Sequence, residues 1–349
     1  MSSNIFCEIE SFESPHLNQL YAGFIKLKNQ GKLDLKIKKS REDHDLHKPV
    51  IKVKLNNQYK VVYDTLDGLN WIEGTDEDNL NYFQEKFQNI DYYFKRSYSP
   101  ILNKYAPTNC RIIPLGLWYE IEEPKEFMER PFRKFTVPLI RKKKLLRKLF
   151  NISQYNSSGF EYYPILPAET QVIHFTRLWD PEEVKLNHLK VEREKINQLR
   201  IESIRKCKKE FGKIFKGGLS NNEFTKKHAP DLILSNLRTD RSSYLELVRN
   251  STICITTTGL HNSIGGKLGE FIAASRAILT EPLEYEVPGN LQNDKNYIEF
   301  NNSDDLLMKI DYLLNNKDII KKMMYENYYY YNNFLKPENL IVNSLLNIL

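Results

Sequence analysis

The chain has 349 residues, of which 41% are hydrophobic and 28% are charged, and its formal net charge is +6. This length leaves room for two domains, and the composition is typical of a soluble globular protein. No apolar run reaches the roughly 20 residues of a membrane-spanning helix, and the N-terminus lacks the basic start of a secretory signal. The four cysteines are far apart and lack metal-ligand spacing. We therefore expect a protein of a reducing cytoplasm.

The N-terminal part of the chain alternates strands with helices. The apolar periodicity predicts a strand at 4–9, an amphipathic helix at 17–29, a strand at 33–37, a hairpin of 50–55 with 59–63, a helix at 76–88, and strands at 90–94 and 110–113. The hairpin is expected to turn at Asn56 and Asn57. This order indicates an α/β domain.

Charged residues follow two of these strands. Asp64 comes after the strand at 59–63, and Lys95 and Arg96 follow the strand at 90–94. Open α/β folds bind ligands at the carboxyl ends of their strands. We therefore predict that Asp64 orients the hydroxyl of an acceptor substrate or acts as a base. The basic pair is predicted to bind an anionic acceptor substrate or the phosphate of a donor substrate. The alternatives are an Asx turn that Gly68 closes and two solvated loop charges.

The segment 127–150 is strongly basic. Nine Lys and Arg residues lie between 130 and 148, interleaved with Phe, Leu and Ile. Such a segment can lie on an anionic membrane surface, at about 1 kcal/mol per basic residue, which would suit a lipid-linked acceptor. It can also contact nucleic acid phosphates. The alternative to both is a solvated basic helix that packs its leucine face on the domain. We expect no nucleic acid partner, and keep a peripheral contact of 130–150 with the inner face of the membrane open.

A second α/β series occupies the C-terminal half. It comprises strands at 171–175 and 213–218, helices at 184–211 and 244–249, a strand at 296–300, and helices at 306–315 and 319–332. The polar stretch 151–169, which contains Pro164 and Pro167, is expected to connect the two halves. We therefore place the domains at 1–165 and 166–333, with 334–349 as a C-terminal helix that crosses back to the first domain.

A βαβ unit lies within 251–288. A strand at 252–256 and a helix at 267–275 flank a loop rich in glycine and small hydroxyls, and a second strand follows at 277–280. Free N–H groups and the helix dipole at such a loop favour a phosphate. Lys267 adds a positive charge, and Glu270 can accept hydrogen bonds from a ribose diol. Close packing of helix on sheet is the alternative reason for the glycines. The predicted donor-binding residues here are Thr258, Gly259, Ser263, Gly265, Gly266, Lys267 and Glu270.

The stretch from Lys267 to Ile278 resembles the donor-binding region of GT-B glycosyltransferases. It matches the pattern of Lys, a Glu three residues later, apolar residues and an Ala. The resemblance implies that Glu270 binds the ribose and that the preceding loop lies against the diphosphate. Two positions depart from the family: Ser275 stands where a Gly is usual, and Asn262 stands where many retaining members carry a second Glu.

The resemblance also extends to other parts of the chain. The strand and loop ending in Thr176-Arg177-Leu178 are similar to the start of the C-terminal GT-B domain, which implies that Arg177 reaches the donor diphosphate; an ion pair with Asp180 is the alternative. In that fold the first N-terminal loop faces the interdomain cleft. Glu10, Ser11 and His16 are thus candidate acceptor contacts, and His16 is a candidate general base or a surface residue at a helix start.

These expectations combine into one hypothesis. The chain is an α/β protein of two Rossmann-like domains facing across a cleft, the GT-B fold. It transfers a sugar, as a hexosyltransferase would, from a nucleotide-diphosphate donor to a hydroxyl of a polysaccharide, glycolipid or protein glycan. No metal ion or other cofactor is expected, because the helix dipole and cations bind the diphosphate. Another sugar-nucleotide enzyme, such as an epimerase, and a non-catalytic basic module that binds membrane or nucleic acid are the alternatives.

Overall fold

The computed structural model describes residues 5–39, 49–128, 136, 139, 157–234 and 241–349. The basic segment at 130–150 therefore lies outside the described residues, apart from 136 and 139. The chain divides into two units. Unit 1 comprises Met1–Gly159, Tyr285–Gly289 and Asn332–Leu349, and unit 2 comprises Phe160–Glu284 and Asn290–Tyr331.

Unit 1 contains a six-stranded sheet with the order β2-β1-β3-β4-β5-β6. Its strands are β1 Ile5–Ser11, β2 Leu33–Lys39, β3 Val50–Leu55, β4 Tyr59–Asp64, β5 Tyr92–Lys95 and β6 Arg111–Pro114. Among its described residues it has the helices α1 Asn18–Asn29 and α2 Asp76–Lys86, together with one helix from the C-terminal end of the chain. The sheet is mixed, because β3 runs antiparallel to both of its neighbours, β1 and β4, while the other pairs are parallel.

The antiparallel strand results from the predicted hairpin. Asn56 and Asn57 join β3 to β4 with φ angles of 52° and 57°. A two-residue hairpin loop of this type needs left-handed backbone at both positions, and asparagine adopts that conformation more readily than most residues. The hairpin prediction is therefore confirmed.

Two apolar clusters cover the two faces of this first sheet. One cluster packs α1 against the sheet together with the C-terminal helix Pro337–Leu346, and the other packs α2 on β4 and β5. Gly23 of α1 allows a close helix contact, because a Cβ there would lie 2.3 Å from the carbonyl oxygen of Pro337. This packing positions the loops at the ends of β1, β4 and β5.

Unit 2 contains a five-stranded sheet with the order β11-β10-β9-β7-β8, in which all described pairs are parallel. The strands are β7 Val172–Thr176, β8 Phe215–Leu219, β9 Ile253–Ile255, β10 Ala277–Thr280 and β11 Ile298–Glu299. The helices are α3 Asn187–Phe211, α4 Glu223–His228, α5 Arg241–Arg249, α6 Gly266–Ala273, α7 Ser303–Asn315 and α8 Lys317–Tyr330. A π-helix, Tyr331–Leu335, follows α8 and precedes the C-terminal helix, α9, of unit 1. The predicted α/β class, with a sheet in each half of the chain, is confirmed.

Candidate anion-binding site

The strand order of unit 2 changes direction between β7 and β9. β7 pairs with β8 on one side and with β9 on the other, so the chain leaves this point of the sheet in opposite directions. In open parallel sheets a ligand binds outside the carboxyl ends of the strands at such a point. The loops that follow β7 and β9 contain most of the residues that the sequence predicts for donor binding.

Arg200 of α3 connects these two loops. It is 5% exposed and donates from Nη1 to the carbonyl oxygen of Arg177 at 2.6 Å and from Nη2 to that of Thr258 at 2.8 Å. Its Nε donates to Oγ1 of Thr257 at 3.0 Å. Burial lowers the pKa of Arg200 to about 10, so the side chain stays cationic at neutral pH. Arg200 therefore holds the backbone of both loops in one arrangement.

Glu281, which follows β10, determines the conformation of Thr258. Its Oε2 accepts hydrogen bonds from the Thr258 amide at 2.8 Å and from the Thr258 hydroxyl at 3.1 Å. Burial raises the pKa of this half-buried carboxyl. Thr258 was predicted to contact the donor, but both of its donor groups are engaged by Glu281, so the structure gives it a role in shaping the loop.

Gly259 and Ser263 also shape the loop. The Gly259 amide donates to the carbonyl oxygen of Ser263 at 2.8 Å, and a Cβ at Gly259 would lie 2.6 Å from Oγ of Ser263. Between them, His261 and Asn262 have φ angles of 57° and 54°. Ser263 is 4% exposed. Both residues therefore shape the loop backbone, which turns back at this point toward α6, and their contact with a donor stays a prediction.

The start of α6 is open. Gly265 is the N-cap residue and provides no side-chain hydrogen bond, and a Cβ at this position would meet only the carbonyl oxygen of Thr257, at 3.9 Å. The first amides of an α-helix have no partner within the helix, and their dipoles make this end positive. Gly265, Gly266 and Lys267 therefore lie where an anion can approach the backbone closely.

Lys267 and Glu270 belong to a cluster with two residues of α5. Glu270 accepts from Nη2 of Arg241 through Oε1 at 2.7 Å and from the Tyr244 hydroxyl through Oε2 at 2.7 Å. Nζ of Lys267 lies 4.7 Å from the centre of the Tyr244 ring. Burial and, to a smaller extent, the charge of Glu270 raise the pKa of Tyr244 well above its usual range. Burial lowers the pKa of Lys267. Two cations thus face one carboxylate, which leaves positive charge at the start of α6.

His174, on β7, was not singled out from the sequence. It is fully buried, and its Nδ1 lies 3.2 Å from the carbonyl oxygen of Ile255, which can only accept a hydrogen bond. Its Nε2 is buried and has no hydrogen-bond partner among the described residues. Burial lowers the pKa of His174 to about 4, and the charges of Arg200 and Lys267 act in the same direction. The imidazole is therefore neutral at physiological pH.

Arg177 is exposed beside the same loops. Its guanidinium carbon lies 3.6 Å from the centre of the Trp179 ring, a cation–π contact that orients the side chain.

Ser275, at the position where the family usually has Gly, has a φ angle of 54° and donates to the carbonyl oxygen of Tyr162 at 2.7 Å. The departure from the family pattern thus keeps the left-handed backbone that glycine usually supplies.

Asp64 and Lys95 of unit 1 do not fit their predicted roles. Both side chains are fully buried and form an ion pair of 3.2 Å. Asp64 also accepts from Nε1 of Trp71 at 2.7 Å, from the Leu66 amide at 2.8 Å and from the Tyr93 hydroxyl. The predictions of Asp64 as a base and of Lys95 as a contact to the acceptor are therefore wrong. Both residues belong to a buried polar network. Such a network satisfies its charges internally and offers no group to a substrate.

The other predicted residues of unit 1 differ in exposure. Ser11 is 5% exposed, and its hydroxyl donates to the carbonyl oxygen of Lys38 at 3.1 Å, so it is not available as an acceptor contact. Glu10 is exposed on β1, opposite Lys52. His16 and Arg96 lie together, because Nη2 of Arg96 donates to the carbonyl oxygen of His16 at 3.0 Å.

The described residues contain neither a cluster of metal ligands nor a helix that could cross a membrane. No group of three or more His, Cys, Asp and Glu side chains is placed to hold a metal ion. Across the ranges given above, no helix is both long enough and apolar enough to cross a membrane. The candidate site therefore consists of a parallel sheet, a reversal of strand order and a helix start with nearby cations, within a Rossmann-like α/β unit.

Comparisons with known proteins find similarity at the level of solved structures. No protein-family model matches the chain, and no curated protein matches it. HepE from Anabaena, solved in complex with UDP-glucose, is 10% identical over 99% of both chains, with a TM-score of 0.47. Sucrose-phosphate synthase from Thermosynechococcus elongatus is 10% identical over 93% of this chain and 70% of its own, with a TM-score of 0.45. A glycosyltransferase from Rickettsia africae is 16% identical over 93% of this chain and 86% of its own, with a TM-score of 0.36.

Proposed function

We propose that this protein is a glycosyltransferase that uses a nucleotide-diphosphate sugar, and that unit 2 binds the donor. The observation that carries the proposal is the start of α6, where Gly265 leaves the first helical amides uncovered and Lys267 and Arg241 supply positive charge. A diphosphate is the ligand that uses amides, helix dipole and cations together. The position of this helix at the reversal of strand order supports the same conclusion.

Glu270 is our candidate for the residue that binds the ribose of the nucleotide. Each of its carboxylate oxygens already accepts one hydrogen bond, from Arg241 or from Tyr244, and each keeps a further lone pair. A ribose diol can donate to those lone pairs without displacing either partner. Arg241 and Tyr244 then act as positioning residues that fix the direction of the carboxylate. Arg177, exposed beside the loop, is the further cation for the departing diphosphate.

The transfer step needs a hydroxyl acceptor and charge stabilisation. As the acceptor oxygen bonds to the anomeric carbon, the bond to the diphosphate breaks, and negative charge grows on the leaving nucleotide. Lys267 and Arg177 stabilise that charge, and we propose that no metal ion is needed. His16 remains our candidate for the general base that takes the proton of the acceptor hydroxyl. We propose hexose transfer to a polysaccharide, lipid-linked or protein-bound acceptor.

Nucleotide binding tests the donor site. The binding of UDP, GDP, CDP and dTDP to the full chain is measured by calorimetry, and the best ligand is repeated with Lys267→Met. We expect this variant to bind about ten- to a hundredfold more weakly, as for loss of a charge-assisted contact. Lys226→Met is the matched control, since Lys226 pairs with Glu223 on the surface of the same unit. Equal affinity in the two variants, or no nucleotide binding at all, would refute the donor site.

Turnover tests the reaction class. With the sugar nucleotide that binds best, we expect slow donor hydrolysis that continues in EDTA and accelerates when an acceptor is added. An epimerase would instead convert the sugar nucleotide without an acceptor, and a non-catalytic module would leave it unchanged. Loss of all turnover in EDTA, with recovery on addition of a divalent cation, would overturn the metal-free proposal.

A further inference from the structure

Arg96 carries a buried charge that no acidic side chain balances at short range. Arg96 is the first residue after β5 and is 4% exposed. Its Nη1 and Nη2 donate to the carbonyl oxygens of Thr65 and His16, at 3.2 and 3.0 Å. In the part of unit 1 that the structure describes, no carboxylate oxygen lies within 4.0 Å of the guanidinium. Carbonyl dipoles orient a buried cation without cancelling its charge, and an unpaired buried charge is costly.

Two aromatic rings extend this cluster toward the surface. The Arg96 guanidinium carbon lies 4.9 Å from the centre of the Trp118 ring, and the His16 ring lies 4.6 Å from that of Trp118. Both rings are half-buried. The three residues come from separate segments: the turn before α1, the end of β5 and the stretch after β6. The fold therefore brings them together, although nothing in their spacing along the sequence indicates it.

Each of these three side chains has a polar atom without a partner. Nε of Arg96, Nε1 of Trp118 and Nδ1 of His16 are buried and make no hydrogen bond to any described residue. Buried polar atoms of native proteins are nearly always bonded, and exceptions commonly mark a bound water, ion or ligand. These three atoms belong to side chains that contact one another, and this is the observation on which we base a binding site.

The chemistry of the three atoms specifies that ligand. The Nε–H of arginine and the indole N–H can only donate, and an imidazole nitrogen can donate in one of its tautomers. The ligand must therefore present acceptor oxygens. A water molecule or a sugar hydroxyl would satisfy the N–H groups but would add no negative charge beside Arg96, whereas an oxyanion does both.

We propose that His16, Arg96 and Trp118 form a binding site for an oxyanion, the carboxylate or phosphate group of a ligand of unit 1. Asp67, half-buried nearby, acts electrostatically on both His16 and Arg96 and favours their charged forms, and the buried Asp64 does the same for Arg96. The negative charges of these two carboxylates partly offset the attraction for an anion. The site is derived from unit 1 alone and does not depend on the donor site of unit 2. If the transferase proposal also holds, the acceptor carries an acidic group.

The three tryptophans of the chain provide a direct assay. The full chain, labelled with ¹⁵N, gives three indole resonances, from Trp71, Trp118 and Trp179, which Trp→Phe variants assign. Sodium phosphate and sodium acetate are added in separate titrations, each against sodium chloride at equal ionic strength. We expect the Trp118 resonance to shift and saturate with one or both oxyanions. Saturation with phosphate alone or with acetate alone identifies the class of oxyanion.

Trp71 and Trp179 separate this result from that of the donor site. Trp71 donates to Asp64 in the interior of unit 1 and should not respond, so its resonance reports an intact fold. Trp179 lies against Arg177 in unit 2, and a shift there reports binding at the donor site only. A Trp118 shift that stays linear and equal to the effect of chloride overturns the proposal, whatever Trp179 does.

Two variants that keep the reporter test the assignment of residues. Arg96→Met removes the charge, and we expect the saturable shift of Trp118 to disappear; Lys104→Met, which removes an exposed cation of the same unit, should leave it unchanged. If Arg96→Met also moves the Trp71 resonance, His16→Phe replaces it as the test. That variant keeps an aromatic ring beside Trp118 and should weaken binding about three- to tenfold. Wild-type affinity in an intact Arg96→Met or His16→Phe variant contradicts the proposal.

Discussion

Nη2 of Arg241 lies 2.7 Å from Oε1 of Glu270, an ion pair in which the glutamate side chain is 6% exposed and the arginine side chain 27%. The carboxylate that we assign to the ribose is thus also a structural partner of α5. Removing it has two effects that must be separated, because the variant loses a ligand for the nucleotide and leaves a partly buried arginine unpaired.

Glu270→Ala should therefore unfold more easily as well as bind nucleotide more weakly. We expect unit 2 to lose about 1–3 kcal/mol, less than for a fully buried pair because Arg241 is partly exposed. Urea unfolding measures this loss. Glu270→Gln keeps an acceptor oxygen and the shape, so it should retain more stability than the alanine variant. If both variants are as stable as the wild type, the ion pair is not structural.

Arg200→Met should loosen the two loops at the reversal of strand order. We expect a loss of about 2–4 kcal/mol, because the carbonyl oxygens of Arg177 and Thr258 lose their buried donor, together with weaker nucleotide binding. Arg205→Met is the control on the same helix, since Arg205 pairs with Asp231 at the surface and should change stability by less than about 1 kcal/mol. Similar unfolding of the two variants would show that Arg200 does not hold the loops.

Asp64→Asn should reduce stability without a specific effect on catalysis. Lys95 would keep its buried positive charge and lose its carboxylate, at a cost of about 3–5 kcal/mol for a broken buried pair. Turnover per folded molecule should stay close to that of the wild type, because Asp64 is sealed from solvent. A large loss of kcat in a fully folded Asp64→Asn protein would restore Asp64 as a candidate base.

His174 should make unit 2 less stable in acid. Burial holds its folded-state pKa at about 4, below the usual 6.5, so the unfolded chain binds the proton more readily between these values. Stability from this residue is present above pH 6.5 and is lost as the pH falls toward 4, at up to about 1.4 kcal/mol per pH unit. Unfolding of the wild type and of His174→Gln, compared from pH 7 to pH 4, measures this. If the free energies of unfolding of the two proteins change with pH in parallel, His174 does not titrate as described.

The fold was largely predictable from the sequence because periodicity depends on local residue patterns. The positions of the strands to within a few residues, the Asn56–Asn57 turn and the βαβ unit all follow from such patterns. Asp64 was misassigned for a reason of register: it lies opposite Lys95 on the neighbouring strand, which converts two strand-end charges into a buried pair. Pairing between strands that are distant in sequence could not be seen from the residues alone.

Arg200, Trp118 and His174 could not be singled out from the sequence, for a different reason. Arg200 is one of many charged residues in a 25-residue helix, and only the packing of that helix decides which of them is buried. Trp118 and His174 become notable through polar atoms without partners, which depends on neighbours from other segments. Lys267 and Glu270 could be singled out as candidates because their three-residue spacing places both on one face of a short helix next to a glycine-rich loop.

The close contact between Gly23 and Pro337 has a consequence for biosynthesis. Unit 1 is built from discontinuous stretches, and the helix that covers α1 is translated only after the whole of unit 2. Until α9 has been synthesised, the apolar face of α1 therefore lacks the helix that covers it. The nascent N-terminal part should be the form that chaperones recognise, and the arrival of the last helix should end that interaction.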